Sequence, residues 1–391
     1  MYFDKVAVMK KLFIYGIILT ILVIGFSGCA EQYEVSTPPP SGTSPPKPTE
    51  TPTVSATIDP VQMLNAPSWT NKLGFKAFDV TISDNGDYYG GISLHKAIIK
   101  TPTKNILTNL YWKNGKLISL SSSGEYIAVA DENFVRLYDT NGDSLVSYDA
   151  TGIVHQIAIL ENGNVIQSSE KKPHVSIIDK KGSELWDWDL GISTAKNLIF
   201  DYTANGNNLF IGTYEGKIHY VSNDLRNLYS KDLGSSVIDI KMSENGEKMY
   251  ALTEDNKLHS YDQYGNSNWV KELTVDTIEI EIPESGDYIL TKPVNRANIP
   301  SFVYKVQLFD KNGNVKWQKS LTDVGVLGIS EDSRYIVISE DRDLRMYDLD
   351  GNELAKYHLD SAYGLFFVSL DMIPDASKLV LGTTRSVLVF G

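Results

Sequence analysis

A four-residue turn of the form Asp-x-x-Gly recurs along this chain and limits its fold more than any other feature. The five copies begin at Asp139, Asp179, Asp262, Asp310 and Asp348. An apolar residue precedes most copies and ends an alternating run, as in residues 134–138. Asp accepts backbone hydrogen bonds at the start of a type I turn, and Gly takes the positive φ of the bulge that follows. Each copy therefore predicts the tip of a β-hairpin.

Two details of these turns need their own interpretation. A sixth copy, 224–227, has Asn227 in the Gly position, and Asn is the usual second choice for a positive φ. Asp139, Asn141 and Asp143 alternate along the chain as calcium ligands do. A calcium loop of that kind needs more acidic ligands and a distant bidentate Glu. The hairpin is therefore the favoured interpretation.

A second turn marks a repeat of about 40 residues, a period that is typical of propeller blades. It ends in Gly in six units, at positions 86, 124, 163, 206, 246 and 286. Ser333 and Ser377 take the Gly position in the last two units. After most Asp-x-x-Gly turns an aromatic residue is followed by Leu four positions later, as in Trp269 and Leu273. Each unit thus predicts four antiparallel strands, a to d, which form a blade.

The two ends of the chain predict how the ring of blades closes. Trp69 and Leu73 have the spacing of a strand d but no hairpin before them. Residues 386–391 match a strand c and stop where the next Asp-x-x-Gly turn is due. We therefore predict an all-β, eight-bladed β-propeller whose last blade is completed by residues 68–73, so that no sheet edge stays open. Seven blades are the alternative, because blade 1 has residues 101–105 in place of its Asp-x-x-Gly turn.

The order of strands also predicts where a ligand would bind. Strand a should line the central channel, strand d should be outermost, and the b–c and d–a loops should share one face. The longest b–c loop, 292–300, is polar, and blade 3 places histidines near the same face. The candidate ligand or partner contacts are Lys292, Asn295, Arg296, Asn298, His155 and His174. A tolerated surface insertion is the alternative interpretation of this loop.

Residues 1–28 have the features of a secretory signal. A basic start at residues 9–11 precedes an apolar run, and small residues lead to Cys29, the one cysteine of the chain. The ending resembles the lipobox of bacterial and archaeal lipoproteins, with Phe26 where Leu is usual. That resemblance implies that Cys29 is lipidated and begins the mature chain. A retained membrane anchor is the alternative, although residues 12–28 are at the short end for a spanning helix.

The remaining composition divides the chain and limits its partners. Residues 29–67 are rich in Pro, Ser and Thr and predict a disordered linker between the signal or anchor, 1–28, and the propeller, 68–391. We therefore predict a propeller held at the extracytoplasmic face of the cell membrane. The formal net charge of −13 argues against nucleic acid as a partner. The six histidines show no metal-ligand spacing, and no cofactor is predicted.

The full Asp-x-x-Gly-x-x-x-Trp pattern at 179–186, 262–269 and 310–317 resembles the pyrroloquinoline-quinone-type repeat. This repeat is similar to WD-type repeats and builds eight-bladed quinoprotein-like propellers, as well as the propeller lipoprotein of outer-membrane assembly. The quinoprotein enzymes use calcium-binding carboxylates, a catalytic Asp and often a vicinal cysteine pair. This chain has no cysteine besides Cys29 and no long inserted segments to build a quinone pocket. We therefore expect a non-enzymatic scaffold that binds a protein or an extracellular ligand. The alternative is a propeller enzyme, a quinoprotein-like oxidoreductase, hydrolase or lyase, with its site at the channel mouth.

Overall fold

The computed structural model describes ten stretches of chain between residue 62 and the carboxyl terminus. These are 62, 64–106, 116–131, 133–150, 152–169, 174–189, 198–203, 205–222, 226–294 and 304–391, with the side chains of Ile106 and Asp189 left aside. Within them lie 32 β-strands in eight antiparallel sheets of four strands each. The prediction of an eight-bladed, all-β propeller is confirmed, and the seven-bladed alternative is wrong.

Blades 1 to 4 are each formed by four consecutive strands, a to d. Blade 1 contains β2 (Asp79–Ile82), β3 (Tyr89–Ile92), β4 (Ala97–Lys100) and β5 (Asn105–Ile106). Blade 2 contains β6 (Leu117–Leu120), β7 (Tyr126–Ala130), β8 (Phe134–Asp139) and β9 (Ser144–Asp149). Blade 3 contains β10 (Val154–Ile159), β11 (Val165–Ser169), β12 (His174–Ile178) and β13 (Glu184–Asp189). Blade 4 contains β14 (Ile199–Tyr202), β15 (Leu209–Gly212), β16 (Lys217–Val221) and β17 (Asn227–Asp232).

Blades 5 to 7 repeat this arrangement, and blade 8 borrows its outer strand. Blade 5 contains β18 (Val237–Met242), β19 (Lys248–Thr253), β20 (Lys257–Asp262) and β21 (Ser267–Glu272). Blade 6 contains β22 (Thr277–Glu281), β23 (Tyr288–Pro293), β24 (Tyr304–Asp310) and β25 (Val315–Leu321). Blade 7 contains β26 (Leu327–Ile329), β27 (Tyr335–Glu340), β28 (Asp343–Asp348) and β29 (Glu353–His358). Blade 8 contains β30 (Phe367–Met372), β31 (Leu379–Thr383), β32 (Ser386–Phe390) and β1 (Trp69–Lys72).

The ring closes between the two ends of the propeller, as the sequence predicts. Strand β1 pairs antiparallel with β32, with Trp69 opposite Val389 and Lys72 opposite Ser386. Leu64, just before β1, is buried in the apolar cluster between blades 7 and 8. The amino-terminal stretch of the propeller therefore contributes both a strand and a core side chain to the last blade.

The core of the propeller lies between the blades. Eight clusters of buried apolar side chains occur among the described residues, and each joins a blade to the next one. In the cluster between blades 4 and 5, Phe210 and Ile218 pack against Met249 and Tyr261. Strands b and c are buried on both sides, which explains their nearly continuous apolar sequences.

The Asp-x-x-Gly turn of a blade packs against strand d of the preceding blade. The Asp310 Oδ1 atom accepts N–H bonds from Asn312 (2.9 Å) and Asn314 (2.8 Å), and Gly313 has φ 78°. The indole of Trp269, from strand d of the preceding blade, donates its Nε1–H to the Lys311 carbonyl at 2.9 Å. Because a Cβ at Gly313 would lie 3.2 Å from that indole, Gly is needed here for packing as well as for φ.

Two turn assignments made from the sequence are wrong. In blade 4, Ser222 N–H donates to the Arg226 carbonyl, and Asn227 pairs with Val221 as the first residue of strand d. The turn therefore begins at Ser222, two residues earlier than predicted, and Asn227 does not have the positive φ of a Gly position. In blade 8 the positive φ falls on Ala376, at 55°, one residue before Ser377. Ser333, by contrast, takes the positive φ that the sequence predicts, at 62°.

Candidate functional site

Strand a of each blade lines the central channel, and several of its acidic side chains connect neighbouring blades. Strand a is an edge strand, so the backbone N–H groups on its channel side have no partner within the sheet. In four places an Asp of one blade accepts such an N–H from the next blade. The bonds run from Ile82 to Asp371 (2.9 Å), from Ile118 to Asp79 (3.0 Å), from Met242 to Asp201 (2.6 Å) and from Ile280 to Asp239 (2.7 Å).

An amide replaces the carboxylate between blades 3 and 4. The Gln156 side chain accepts the Phe200 N–H at 2.9 Å and donates to the Phe200 carbonyl at 2.8 Å. Burial raises the pKa of Asp79, Asp239 and Asp371 to about 7 in each case, and their backbone hydrogen bonds only partly oppose it. These channel carboxyl groups therefore act first as inter-blade connectors.

One ion pair lies among these carboxyl groups. Lys241 Nζ is 2.9 Å from Glu281 Oε2, and both side chains are about a quarter exposed, at 27%. Burial disfavours the charged amine, but the nearby Glu281, Asp239 and Asp201 together raise the pKa of Lys241. Burial raises the pKa of Glu281, and Lys241 opposes that change. The pair supplies the one cationic side chain that lines this part of the channel among the described residues.

A cavity of 380 Å³ opens from this layer toward the face that carries the a–b and c–d turns, here called the turn face. Its rim consists of acidic residues at the second position of the a–b turns. These are Asp84, Glu161, Glu244, Glu284 and Glu331. Burial, together with a hydrogen bond to Glu284, raises the pKa of Glu331 to about 8. Glu331 therefore binds its proton more tightly than an ordinary Glu, and the acidic rim as a whole favours a negative potential at this mouth.

The predicted site residues that the structure describes lie at the opposite face, which carries the b–c and d–a connections and is here called the loop face. Lys292, in β23, forms a 2.8 Å ion pair with Glu279 of the adjacent strand. His155 is the second residue of β10 and His174 the first residue of β12, both in blade 3, three blades away round the ring. Lys292 is therefore not brought together with the two histidines. Asn295, Arg296, Asn298 and Cys29 lie outside the described residues.

The two histidines have different surroundings. His174 is buried, and its Nε2 lies 3.8 Å from Asp187 Oδ1 on strand d of the same blade. The Nε2 atom of His155 is buried and finds no hydrogen-bond partner among the residues that the structure describes. Within that part of the chain, no group of three or more His, Cys, Asp or Glu side chains has the geometry of a metal site.

The loop face also carries exposed apolar side chains that the sequence analysis missed. They are Phe75, Ile153, Tyr214, Ile278, Leu365 and Phe366. The run Leu365-Phe366-Phe367 contained a usable signal. Only Phe367, the first residue of β30, is buried, so the two residues before it point to solvent. An apolar run longer than one strand face can bury should have indicated an exposed patch.

Sequence comparison supports the repeat type. Residues 171–323 match the family model described as "Outer membrane protein assembly factor BamB". This stretch therefore carries repeats of the pyrroloquinoline-quinone type within the β-propeller. The match begins just before β12 of blade 3 and ends after β25 of blade 6, where the sequence pattern is most complete. No curated protein matches the propeller in sequence.

Solved propellers share the architecture across most of the chain. BamB from Moraxella catarrhalis superposes with a TM-score of 0.64 at 12% identity, covering 83% of this chain and 98% of that one. Sqt1 from Saccharomyces cerevisiae gives 0.66 at 13% identity, covering 84% and 99%. The carboxyl-terminal WD40 domain of Sif2 gives 0.66 at 12% identity, covering 85% and 99%. At these identities the likeness shows the fold alone.

No helix in the described part of the chain has the length and apolar character needed to cross a bilayer. Residues 1–28, for which the sequence predicts a signal or an anchor, lie outside that part.

Proposed function

We propose that this chain is a membrane-anchored, extracytoplasmic, non-enzymatic propeller that binds a protein partner through its loop face. The observation that carries the proposal is the set of exposed apolar side chains on loop-face connections, among them Phe75, Tyr214 and Phe366. Exposed apolar groups held on a rigid scaffold are typical of interaction surfaces. The match of residues 171–323 to the BamB model supports a scaffold role, since that model describes an assembly factor.

The polar contacts of the channel also favour a scaffold. The carboxylates of Asp79, Asp201, Asp239 and Asp371 are engaged with backbone N–H groups of neighbouring blades. A catalytic carboxylate must be free to exchange a proton with a substrate at hydrogen-bond distance. Engaged carboxylates of this kind serve the ring of blades.

Photo-crosslinking in the intact organism tests the scaffold. A photoreactive phenylalanine analogue would replace Phe75, Ile153 or Tyr214 on the loop face, and Tyr264 on the turn face as the matched control, since it too is exposed. We expect specific protein adducts from loop-face positions and none from position 264. If no loop-face position yields a protein adduct, the scaffold proposal is wrong.

The polar loop of blade 6 is a proposed part of the same surface, with Lys292, Asn295, Arg296 and Asn298 as contacts. Replacing Lys292 and Arg296 by Ala should leave the propeller folded and reduce adduct formation. The Lys292–Glu279 pair is partly exposed, so its loss should cost at most about 1 kcal/mol. Unchanged adduct yields at normal thermal stability would remove this loop from the surface.

Anchoring is proposed from the amino-terminal sequence. A Cys29→Ala variant should appear in the soluble extracytoplasmic fraction or as an uncleaved precursor. The wild-type chain should partition into detergent with a mass that lacks residues 1–28 and includes lipid. A detergent-extracted wild-type chain that retains residues 9–28 would contradict lipidation at Cys29 and support the retained anchor.

One observation favours a second candidate, an enzyme at the acidic channel mouth. Burial raises the pKa of Glu331 to about 8, and such a carboxyl group can act as a general acid at neutral pH. Glu331→Gln should abolish any turnover if this candidate holds. Under the scaffold proposal, the same variant leaves adduct formation from Tyr214 unchanged.

A further inference from the structure

The junction of blades 8 and 1 exposes a group of side chains unlike the rest of the loop face. We define the seam patch as Phe75, Lys76, Leu365, Phe366 and Arg385. Its three apolar side chains are 50%, 48% and 52% exposed, in chain order. Phe75 and Lys76 lie in the connection between β1 and β2, Leu365 and Phe366 precede β30, and Arg385 lies in the turn between β31 and β32.

Backbone hydrogen bonds hold the patch in one piece. The Leu365 N–H donates to Thr384 Oγ1 at 2.8 Å, and the Thr384 N–H donates to the Phe366 carbonyl at 3.2 Å. From the other side, the Gly74 N–H donates to the Arg385 carbonyl at 3.2 Å. Both connections are thus fixed to the same turn of blade 8. A surface ordered in this way loses little conformational entropy when a partner binds.

The charge of the patch is opposite to that of the protein. The seam connections contain Lys76, Lys96 and Arg385 against a single acidic residue, Asp360. Among the described residues, neither Lys76 nor Arg385 forms an ion pair. The chain as a whole carries a formal charge of −13.

The loop face of blades 5 to 7 has the reverse character. Its described connections and the strand ends beside them contain mostly acidic residues, with Lys257, Lys292 and Arg342 as the cations. The acidic residues are Glu254, Asp255, Asp276, Asp323, Glu340 and Asp341. The two sectors share one face, so a partner that covered all of it would meet both charges.

From this juxtaposition we propose that the seam patch binds an acidic, apolar segment of a partner protein. Apolar side chains of the segment cover Phe75, Leu365 and Phe366, and its carboxylates face Lys76 and Arg385. The inference rests on the proposed scaffold function and names the chemistry of its partner. An anionic lipid surface would also attract the patch, but it would bring the acidic sector of blades 5 to 7 against negative headgroups.

Peptide binding to the purified full-length chain, which includes the propeller, tests the proposal. The probe is a short fluorescein-labelled peptide of Glu, Leu and Phe, with two matched peptides that have Lys for Glu or Ser for Leu and Phe. We expect the acidic, apolar probe to raise fluorescence anisotropy in a saturable way and both matched peptides to fail. Equal binding of the Lys peptide would overturn the proposal.

Variants locate the binding. Lys76→Glu with Arg385→Glu should weaken the probe about tenfold or more, because two charge contacts become repulsive. Phe366→Ser should do the same through lost apolar contact. Lys181→Glu on the turn face and Leu185→Ala on β13 are the matched controls, since both residues are exposed, and they should change nothing. Thermal unfolding by circular dichroism confirms that each variant folds.

The remaining outcomes separate this inference from the scaffold function. In one outcome, vesicles of phosphatidylserine and phosphatidylcholine bind the wild type but not the double charge variant, and the peptide does not bind. That result would overturn the inference in favour of a lipid surface. Protein adducts from Tyr214, together with no peptide binding at the patch, would overturn the inference and leave the scaffold function standing. Peptide binding at the patch with no protein adducts in the organism would overturn the scaffold function.

Discussion

Blades 5 to 7 and the seam between blades 8 and 1 close the same kind of interface with different residues. In the regular blades, a strand d tryptophan docks on the next Asp-x-x-Gly turn, as Trp317 does through a 3.0 Å bond to the Leu349 carbonyl. At the seam, the Trp69 ring packs edge-on against Tyr89 at 5.5 Å. On the channel side the two regions are alike, because Asp371 and Asp239 each accept an N–H from the next blade.

This difference shows which surfaces of the chain can have residues that the repeat does not fix. A repeated interface fixes the same residues in every blade, so those residues reflect packing. The seam is made from the two ends of the propeller and is free of the Asp-x-x-Gly pattern. There the loop face becomes apolar and basic, whereas the regular sector is acidic.

The largest expected effect comes from removing the seam strand. Deletion of residues 62–74 should unfold the propeller or lower its stability by several kcal/mol, because it removes β1 and the buried Leu64 and exposes the edge of β32. Deletion of 31–60 is the control and should leave the melting temperature unchanged. Circular dichroism measures both. Equal melting temperatures for the two deletion variants would show that β1 does not close the ring.

The next effect compares the two tryptophan environments. Trp269→Phe should lose about 1 kcal/mol relative to Trp69→Phe, because only Trp269 donates its indole N–H to a turn carbonyl, that of Lys311. Urea denaturation of the two variants at the same pH measures the difference. Equal losses of stability would mean that the hydrogen bond of the Trp269 indole N–H adds nothing to ring packing.

The channel should show no such difference. Asp371→Ala at the seam and Asp239→Ala in the regular blades should each cost about 1–3 kcal/mol at pH 6, since each leaves a channel N–H without its acceptor. Asp→Asn at either position keeps an acceptor oxygen and should cost less. A cost at Asp239 with none at Asp371 would show that the seam is closed on its outer side only.

The smallest effect is the pH dependence of stability. Burial raises the pKa of Asp371 and Asp79 to about 7 and that of Glu331 to about 8, so the folded state binds more protons than the unfolded state between about pH 4 and pH 8. Stability should therefore rise as the pH falls from 8 to about 5. Asp371→Asn with Glu331→Gln should flatten that rise, and a melting temperature that increases from pH 5 to pH 8 would contradict the assignment.

Below that window the turns should reverse the trend. Although slight burial opposes it, hydrogen bonds from Asn266 and neighbouring backbone lower the pKa of Asp262, and Asp310 and Asp348 are held in the same way. Their hydrogen bonds weaken only when these carboxylates are protonated. The contribution of the turns to stability is therefore lost as the pH falls below the usual range of Asp.

Local patterns were enough to predict the ring, but they placed two turns wrongly. In blade 4, Ser222 takes the place of the Asp, so the pattern that begins with Asp pointed to residues 224–227 instead. The spacing to Tyr229 could have corrected this prediction, because in blades 3, 5 and 6 the strand d tryptophan follows the first residue of the turn by seven positions. In blade 8, Ala376 accepts a positive φ that composition does not signal, because the hairpin around it imposes that conformation.

The sequence by itself determined the number of blades, the order of strands and the closure by β1. Those features depend on spacing and turn chemistry, which are local and repeat along the chain. Only the tertiary structure showed that Phe75 lies beside the turn of blade 8 that holds Phe366 and Arg385, although it precedes both by about 300 residues. It also showed that channel carboxylates serve the next blade's backbone. The seam patch depends on contacts between the two ends of the propeller, and the channel hydrogen bonds depend on contacts between neighbouring blades. The periodicity of the sequence does not predict such contacts.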